Sequence, residues 1–387
     1  MYRLAKILHP SFALVYAIFS AIPLIGLICL LVLNGKATTA LRCRGIRVGL
    51  LGADRGDLSK LALDSSSVAS SVGSVLNSVG PFLGLLLVIG LFSLSSEVRS
   101  FFLTGANFKI ILTQTVIVAI GALGMTMIIV SGGIDLSVGS AVALASVVGA
   151  TLLVKGFSPA VAALITILSG GVIGLVNGAV IAGFRMLPFI VTLGMMGVGR
   201  GAAKWLAGNQ TVNSPETSIN AIMGLEEPTQ LFPLPPGVWI AIGLAVVMSV
   251  VLRQTVFGRY IFAIGSNEAT ARLCGIRVQL HKALIYSFAG LFFGLSGLMQ
   301  LSRLTQGDPT VAIGLELDII AAVVIGGASL NGGTGSILGS MIGALIMAVL
   351  RNGSNQMGWP TYMQEIIIGV VIILAVGLDK FRQTRSA

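Results

Sequence analysis

The chain has 387 residues, of which 55% are hydrophobic and only 10% are charged, and its mean hydropathy is +0.97. Soluble domains carry about 25% charged residues, so this composition excludes an ordinary soluble protein and predicts an all-α protein that crosses a membrane many times. The net charge of +10 does not indicate a nucleic-acid partner, because the basic residues are scattered between apolar runs instead of clustering on one face.

The amino-terminal part begins with an apolar run over residues 11–33, which is long enough to span a bilayer. It lacks a clear small-residue cleavage site, so we expect a retained helix and not a removed signal peptide. Six Lys and Arg residues follow this helix within residues 34–77 and two precede it, which places its amino end outside the cell. The change of composition near residue 77 predicts a boundary between an extension, residues 1–77, with one membrane helix and a basic cytoplasmic segment, and a transmembrane domain, residues 78–387.

Ten further apolar segments follow in the transmembrane domain, which makes eleven predicted spans in all. With the amino terminus outside, 15 of the 24 Lys and Arg residues fall in the cytoplasm, and the reverse orientation would invert that count. The segment Gly208–Gly237 then lies outside, where it either closes the outer mouth, meets a partner or is a solvated connector. The ten predicted segments are residues 79–97, 108–130, 137–154, 160–183, 188–207, 238–252, 283–301, 315–330, 334–351 and 362–378.

Two glycine-rich interruptions resemble each other. Gly132–Ser140 reads GGIDLSVGS and Gly326–Ser336 reads GGASLNGGTGS, and the two lie 194 residues apart, about half the chain, as the halves of a duplicated transporter would. Such breaks free backbone groups that lipid cannot satisfy, so they are tolerated where protein or a water-filled cavity surrounds them. Asp135 and Ser137 can each cap the helix that follows, and we favour capping over direct substrate contact. The residues that could line a substrate pathway are polar and close to glycine-rich helices: Asp135, Ser137, Asn177 and Asn331.

A basic polar interruption, Arg253–Lys282, carries five Lys or Arg residues against one acid, Glu268, and is predicted to be cytoplasmic. Within it, NEATARL (residues 267–273) contains good helix formers. Ser266 or Asn267 can cap the start of this short helix, and Gly275 can end it. A capped helix of this kind indicates a docking surface, although a solvated loop that is basic only for topology explains the composition equally well.

Motifs for catalysis are missing from the sequence. It contains no phosphate-binding G-x-x-x-x-G-K-[ST] loop, no H-E-x-x-H and no G-x-S-x-G, so we expect no enzymatic activity, no cofactor and no metal site. The three cysteines, Cys29, Cys43 and Cys274, fit neither a disulfide framework nor a zinc site. The ionisable residues in or near the spans mostly sit at span ends, so no acid is clearly placed in mid-span for an ion-coupled carrier.

From about Pro81 to Phe381 the chain resembles the permease subunits of bacterial ABC importers for monosaccharides of the ribose, xylose and galactose type. The matching stretches are GMTMIIVSGGIDLSVGSAVAL (Gly124–Leu144), GRYIFAIGSNEATARLCGI (Gly258–Ile276) and LDIIAAVVIGGASLNGGTGSILGSMIGALI (Leu317–Ile346). The resemblance implies ten membrane helices in the bacterial inner membrane, to which residues 1–77 add one more helix. It also implies a second permease subunit, a cytoplasmic ABC ATPase and a periplasmic sugar-binding protein.

The same resemblance implies that NEATARL is the coupling helix that sits in a groove of the ATPase. Glu268, Ala269 and Gly275 match the Glu-Ala-Ala and the downstream Gly of the family, whereas Thr270 replaces its third alanine. The residues assigned to coupling are Arg259, Asn267, Glu268, Ala269, Arg272 and Gly275.

These assignments predict a permease that carries a monosaccharide by alternating access. ATP binding would draw two ATPase subunits together, each coupling helix would move with its ATPase, and the paired permeases would change the side on which the pathway opens. Two alternatives stay open at this point: a permease for branched-chain amino acids or another small nutrient, and an ion-coupled secondary transporter.

Overall fold

The computed structural model describes residues 48–49, 52–53, 66–94, 98–225 and 234–386. The chain separates into two compact units, Met1–Asn77 and Ser78–Ala387. In the first unit, strands β1 (Val48–Gly49) and β2 (Gly52–Ala53) pair in antiparallel fashion, with Val48 opposite Ala53. The predicted span over residues 11–33 and most of the basic segment up to residue 77 lie outside the described residues, so those assignments stay predictions.

Helices make up most of the described chain, which confirms the predicted all-α class. Each of the ten apolar segments predicted after residue 78 coincides with one helix. The helices are α1 (Ser66–Leu94), α2 (Arg99–Phe102), α3 (Gly105–Val130), α4 (Val138–Val154), α5 (Pro159–Phe184), α6 (Pro188–Leu206), α7 (Pro236–Gln254), α8 (Val256–Ser266), α9 (Glu268–Leu273), α10 (Val278–Leu304), α11 (Leu315–Ile325), α12 (Ile337–Gln356) and α13 (Thr361–Ser386).

Five of these helices, α3, α5, α7, α10 and α12, are long and apolar enough to cross a membrane, and several shorter apolar helices accompany them. The chain is therefore a multi-pass membrane protein. Helix α11 differs from the prediction, because it ends at Ile325 and not near residue 330. Its 11 residues rise by roughly 16 Å, about half of a bilayer core, so α11 reaches only partway and the glycine-rich break follows it inside the protein.

Helix α3 forms the centre of the bundle. It is apolar on all sides, and nearly every residue from Thr113 to Val130 is buried, as expected for a helix surrounded by others. Helices α7, α10, α11 and α12 all pack against it. The two helix–break–helix pairs, α3–α4 and α11–α12, consequently share one core.

Helices α5 and α10 pack closely through glycines, which suits helix association in a membrane. A Cβ on Gly170 would overlap Gly290 and Gly294, and one on Gly174 would overlap the carbonyl oxygen of Tyr286. Further along, Gly178 lies against Ala283. Residue numbers rise along α5 as they fall along α10, so the helices are antiparallel and the end of α5 lies beside the start of α10.

A small group of polar contacts around strands β3 and β4, which we call the clasp, lies at the opposite end of α10. Strand β3 (Val212–Asn213) pairs with β4 (Gln306–Gly307), and the Thr211 hydroxyl lies 3.1 Å from the Asp308 carboxylate. Arg200 of α6 donates to the carbonyl oxygens of Pro309 and Val311 at 2.8 and 2.6 Å. Part of the segment predicted to lie outside the cell, residues 208–225, is thereby held to the segment that follows α10.

Candidate functional site

The basic segment Arg253–Lys282 folds into two short helices between α7 and α10. Helix α8, which the sequence analysis did not predict, starts at a Thr255 cap whose hydroxyl accepts from the Gly258 N–H at 3.1 Å. Helix α9 follows, and the Thr270 N–H donates to Asn267 Oδ1 at 2.9 Å. Gly275 lies just beyond its end with a φ of +84°, a conformation that favours glycine. The predicted short helix is confirmed, with Asn267 and not Ser266 as its cap.

Glu268 fixes α9 to the start of α10. Its Oε2 lies 2.6 Å from Lys282 Nζ, and its Oε1 lies 3.0 Å from Arg272 Nη2. Burial raises the pKa of Glu268, but the hydrogen bond and charge of Lys282, together with Arg272, outweigh burial, so the pKa lies below its usual range. The carboxylate is therefore ionised at neutral pH, and it holds two helices that carry basic residues.

The outer face of α9 is available for docking. Ala271 is buried beside Ile264 and Val278 and seats the helix on the protein. Ala269 is exposed on the other side, and Leu273 is 89% exposed. Leu273 was not among the residues predicted for coupling, although an apolar residue in a basic, capped helix is a signal that could have identified it. Arg259 is exposed on α8, and no hydrogen bond or ion pair between described residues joins it to Glu268.

Three of the four predicted pathway residues form one buried cluster at the first break. Asp135 Oδ1 accepts from the Ser137 N–H at 2.8 Å and from the Ser137 hydroxyl at 2.6 Å. Asn177 of α5 donates to Ser137 Oγ at 2.9 Å and approaches Asp135 Oδ2 at 3.3 Å. All three side chains have 0% exposure, so they brace α5 against the break in this conformation.

The capping prediction for this cluster is half correct. Asp135 satisfies the Ser137 N–H at the start of α4, as a cap does. Ser137 is the cap residue by position, but its side chain makes no capping hydrogen bond and donates to Asp135 instead. Asn331, the fourth candidate, is exposed in the second break and does not belong to this cluster.

The two breaks meet each other and the end of α8 at a glycine junction, formed by Gly132, Gly265, Gly332 and Gly333. The Gly333 N–H donates to the Val130 carbonyl at 2.8 Å, which joins the break after α3 to the break after α11. A Cβ on Gly265 would overlap the same carbonyl oxygen and lie 2.7 Å from Gly333 N. The other three glycines have positive φ angles. A Cβ on Gly332 would lie 2.7 Å from the Gly265 carbonyl oxygen, so at Gly265 and Gly332 the close approach of the segments requires glycine.

The glycine junction lies only a few residues from each of the two candidate sites, helix α9 and the buried polar cluster. Gly265 stands two residues before Asn267, the cap of α9, and Gly132 stands three residues before Asp135. Backbone contacts, rather than flexible side chains, therefore connect the end of α8, next to α9, with the break that carries the buried polar cluster.

An ion pair lies near the start of α11, toward the clasp. Asp318 is 2% exposed, and its Oδ2 accepts from Arg351 Nε of α12 at 2.7 Å. The acid sits near a helix end, as the sequence indicated, yet it is buried rather than exposed. Arg351 therefore compensates the charge of this buried carboxylate. No group of three metal-ligating side chains occurs in the part of the chain that the structure describes.

Comparison with known proteins adds to this geometry. A family described as "Branched-chain amino acid transport system / permease component" matches residues 107–376. The ribose import permease of Escherichia coli is 40% identical over 299 residues, covering 77% of this chain and 93% of the relative. That of Bacillus subtilis is 40% identical over 315 residues, covering 79% and 94%.

A third relative is the fructose import permease of Rhizobium meliloti, which is 34% identical over 303 residues and covers 77% of this chain and 84% of the relative. No solved structure gives a significant match.

Proposed function

This chain belongs to the permease family of ABC importers, and from that premise we propose that it is the membrane-spanning subunit that carries a monosaccharide into the cell. The observation that carries this proposal is the 40% identity to ribose import permeases over more than nine-tenths of their length. Relatives named for arabinose and fructose match at 35% and 34%, which favours a monosaccharide over a branched-chain amino acid, despite the description of the family.

We infer that the permease works with a cytoplasmic ATPase, a second permease subunit and a periplasmic sugar-binding protein. Support for the ATPase comes from α9, which is capped, is joined to α10 by the Glu268–Lys282 ion pair, and presents Ala269 and Leu273 outward. The predicted orientation places it in the cytoplasm.

In the proposed mechanism the permease supplies movement and no covalent chemistry. When the ATPase subunits close on ATP, α9 moves with its ATPase, and the glycine junction passes that movement to both helix breaks. The cluster of Asp135, Ser137 and Asn177 then rearranges as access changes from one side to the other. Asn177 supports this step, because its Oδ1 is buried without a hydrogen-bond partner in the described chain and gains one if the cluster opens to a sugar hydroxyl or to water.

Reconstitution tests the function. The permease is purified with its partner ATPase, placed in proteoliposomes with the matching binding protein, and supplied with labelled ribose or labelled leucine. We expect ribose uptake that requires ATP, resists a protonophore and is not inhibited by leucine. Uptake that persists without ATP but collapses with the protonophore would instead identify a secondary carrier, and leucine uptake would identify an amino acid permease.

A further inference from the structure

A basic cavity lies beside the coupling helix and is not used by the mechanism above. It has a volume of about 390 Å³ and is lined by Arg185, Arg272, Arg277 and the first residues of α10. The antiparallel packing of α5 and α10 creates it, because that packing places Arg185, which follows α5, beside Arg277, which precedes α10. We call it the arginine cavity.

The charge of this cavity is only partly compensated. Arg272 pairs with Glu268, but Glu268 also serves Lys282. Arg185 and Arg277 form no ion pair with any residue that the structure describes. Arg185 also has a φ of 53°, which is unusual for a residue with a side chain. Two uncompensated guanidinium groups, and a third whose partner is shared with Lys282, give the cavity a positive charge that favours an anion.

The start of α10 adds to the attraction. The helix has 27 residues, and its cap residue, Arg277, makes no capping hydrogen bond with its side chain. The Val278 N–H donates to the Ile276 carbonyl oxygen at 2.9 Å, but the Gln279 and Leu280 N–H groups have no hydrogen-bond partner among the described residues, and free amides at the start of a helix favour negative charge. Arginine and free amides together suit the oxygens of a phosphate group.

An exposed apolar face leads away from the cavity along α10. Leu280, Leu284 and Phe288 recur at four-residue spacing and are 50, 37 and 47% exposed. Beside Arg185, Phe184 and Leu187 are 77 and 67% exposed. A free phosphate ion makes no favourable contact with an apolar face, whereas the acyl chains of a lipid pack against such a face. A basic pocket at the cytoplasmic end of membrane helices is typical of binding to anionic head groups.

We propose that the arginine cavity binds the phosphate head group of an anionic phospholipid, such as phosphatidylglycerol, from the cytoplasmic leaflet. Arg185 and Arg277 hold the phosphate, the amides at the start of α10 contact its oxygens, and the acyl chains follow Leu280, Leu284 and Phe288. Because Arg272 belongs to α9, a bound lipid also braces the coupling helix from its membrane side.

The test measures lipid affinity on the full-length permease, and a parallel co-purification measures ATPase binding. The protein is purified in detergent, titrated with phosphatidylglycerol or phosphatidylethanolamine, and analysed by native mass spectrometry. We expect preference for phosphatidylglycerol, and we expect Arg185→Gln and Arg277→Gln each to lower its affinity about fivefold, since one basic residue near a membrane surface contributes about that factor. Arg253→Gln is the matched control, because Arg253 is exposed on the same predicted face but does not line the cavity.

Three results would overturn the proposal. The first is phosphatidylglycerol affinity that is unchanged in the Arg185→Gln/Arg277→Gln variant. The second is displacement of the lipid by millimolar inorganic phosphate, which would identify a site for free anions. The third is loss of ATPase co-purification from Arg277→Gln with unchanged lipid affinity, which would identify a contact for an acidic segment of the ATPase. If the double variant does not fold, the phosphatidylglycerol affinities of Arg277→Gln and Arg277→Lys are compared instead. Only the lysine variant is expected to keep most of the affinity, and equal affinities would overturn the proposal. Lipid binding is measured without sugar or ATP, so a failure of the transport proposal leaves this test intact.

Discussion

Substituting Gly265 by alanine tests whether the glycine junction transmits movement. The added methyl group would overlap the Val130 carbonyl oxygen and lie 2.7 Å from Gly333 N, so it separates the two atoms that join the breaks. Neither neighbour is the far end of a flexible side chain. The backbone must shift, and the hydrogen bond from Gly333 to Val130 must lengthen or break.

The size of the effect follows from this overlap. Forcing one extra methyl group into a packed region costs about 1–3 kcal/mol. If that cost differs between the two access states by its full amount, their ratio changes about 5- to 150-fold. We therefore expect sugar uptake to fall at least about fivefold, while ATP hydrolysis continues because α9 and its exposed face are unaltered.

The assay compares sugar uptake with ATP hydrolysis in the same proteoliposomes. Gly243→Ala is the matched control, since a Cβ on Gly243, in the middle of α7, meets nothing within 4 Å. Thermal unfolding of both variants separates a transport defect from loss of the fold. If Gly265→Ala keeps both uptake and its ratio to hydrolysis within about twofold of the unaltered protein, the junction does not transmit movement.

Four further experiments test the segment around α9, the orientation in the membrane and the amino-terminal extension. Glu268→Lys should uncouple hydrolysis from uptake in a protein that still inserts, because it replaces the partner of Arg272 and Lys282 with a like charge. A bulky residue at Gly275 should have the same effect, because it strains a backbone with positive φ. Wild-type uptake by either variant would remove this segment from the mechanism. Since the pKa of Glu268 is lowered, its ion pairs are complete above the ordinary pKa of Glu and are lost only as pH falls through the lowered value. Titration of Glu268 should therefore not change uptake between about pH 6 and 8, and a Glu268→Gln variant should show a pH profile of the same shape. A step in that pH range that disappears in Glu268→Gln would contradict this prediction. With native cysteines changed to serine, a cysteine at Asn213 should react with an impermeant thiol reagent added outside, and one at Ser266 only after permeabilisation, whereas the opposite pattern would reverse the predicted orientation. A protein that lacks residues 1–77 should keep ATPase binding and most sugar uptake at matched expression, and loss of ATPase binding by a truncated protein that inserts normally would show that the extension belongs to the transporter.

Much of the fold is readable from the sequence because a bilayer allows few solutions. Hydrophobic stretches of suitable length must form helices, since lipid offers no partner to backbone N–H and C=O groups. The ten segments from residue 79 onward coincide with helices for this reason. Local rules also gave the short helix α9, because its Asn267 cap and Gly275 terminus act within a few residues.

Contacts between segments that are distant in the chain could not be predicted from hydropathy or from local rules. The sequence indicated that Asp135, Ser137, Asn177 and Asn331 are polar and lie near glycines, but hydropathy does not show which of them meet. In the structure the first three form one hydrogen-bonded cluster and Asn331 lies apart. Helix α8 was missed because it is short and follows a basic turn, so its apolar residues did not form a span-length run.

The sequence by itself determined the membrane class, the helical segments, the capped helix α9 and, through three family-like stretches, the kind of transporter. All of these depend on composition or on residues close together in the chain. Tertiary structure alone decided that Gly132, Gly265, Gly332 and Gly333 meet and that Arg185 and Arg277 line one cavity. Both arrangements join residues from separate helices. They depend on how closely backbones approach in three dimensions, and hydrophobic periodicity along a single chain carries no record of that distance.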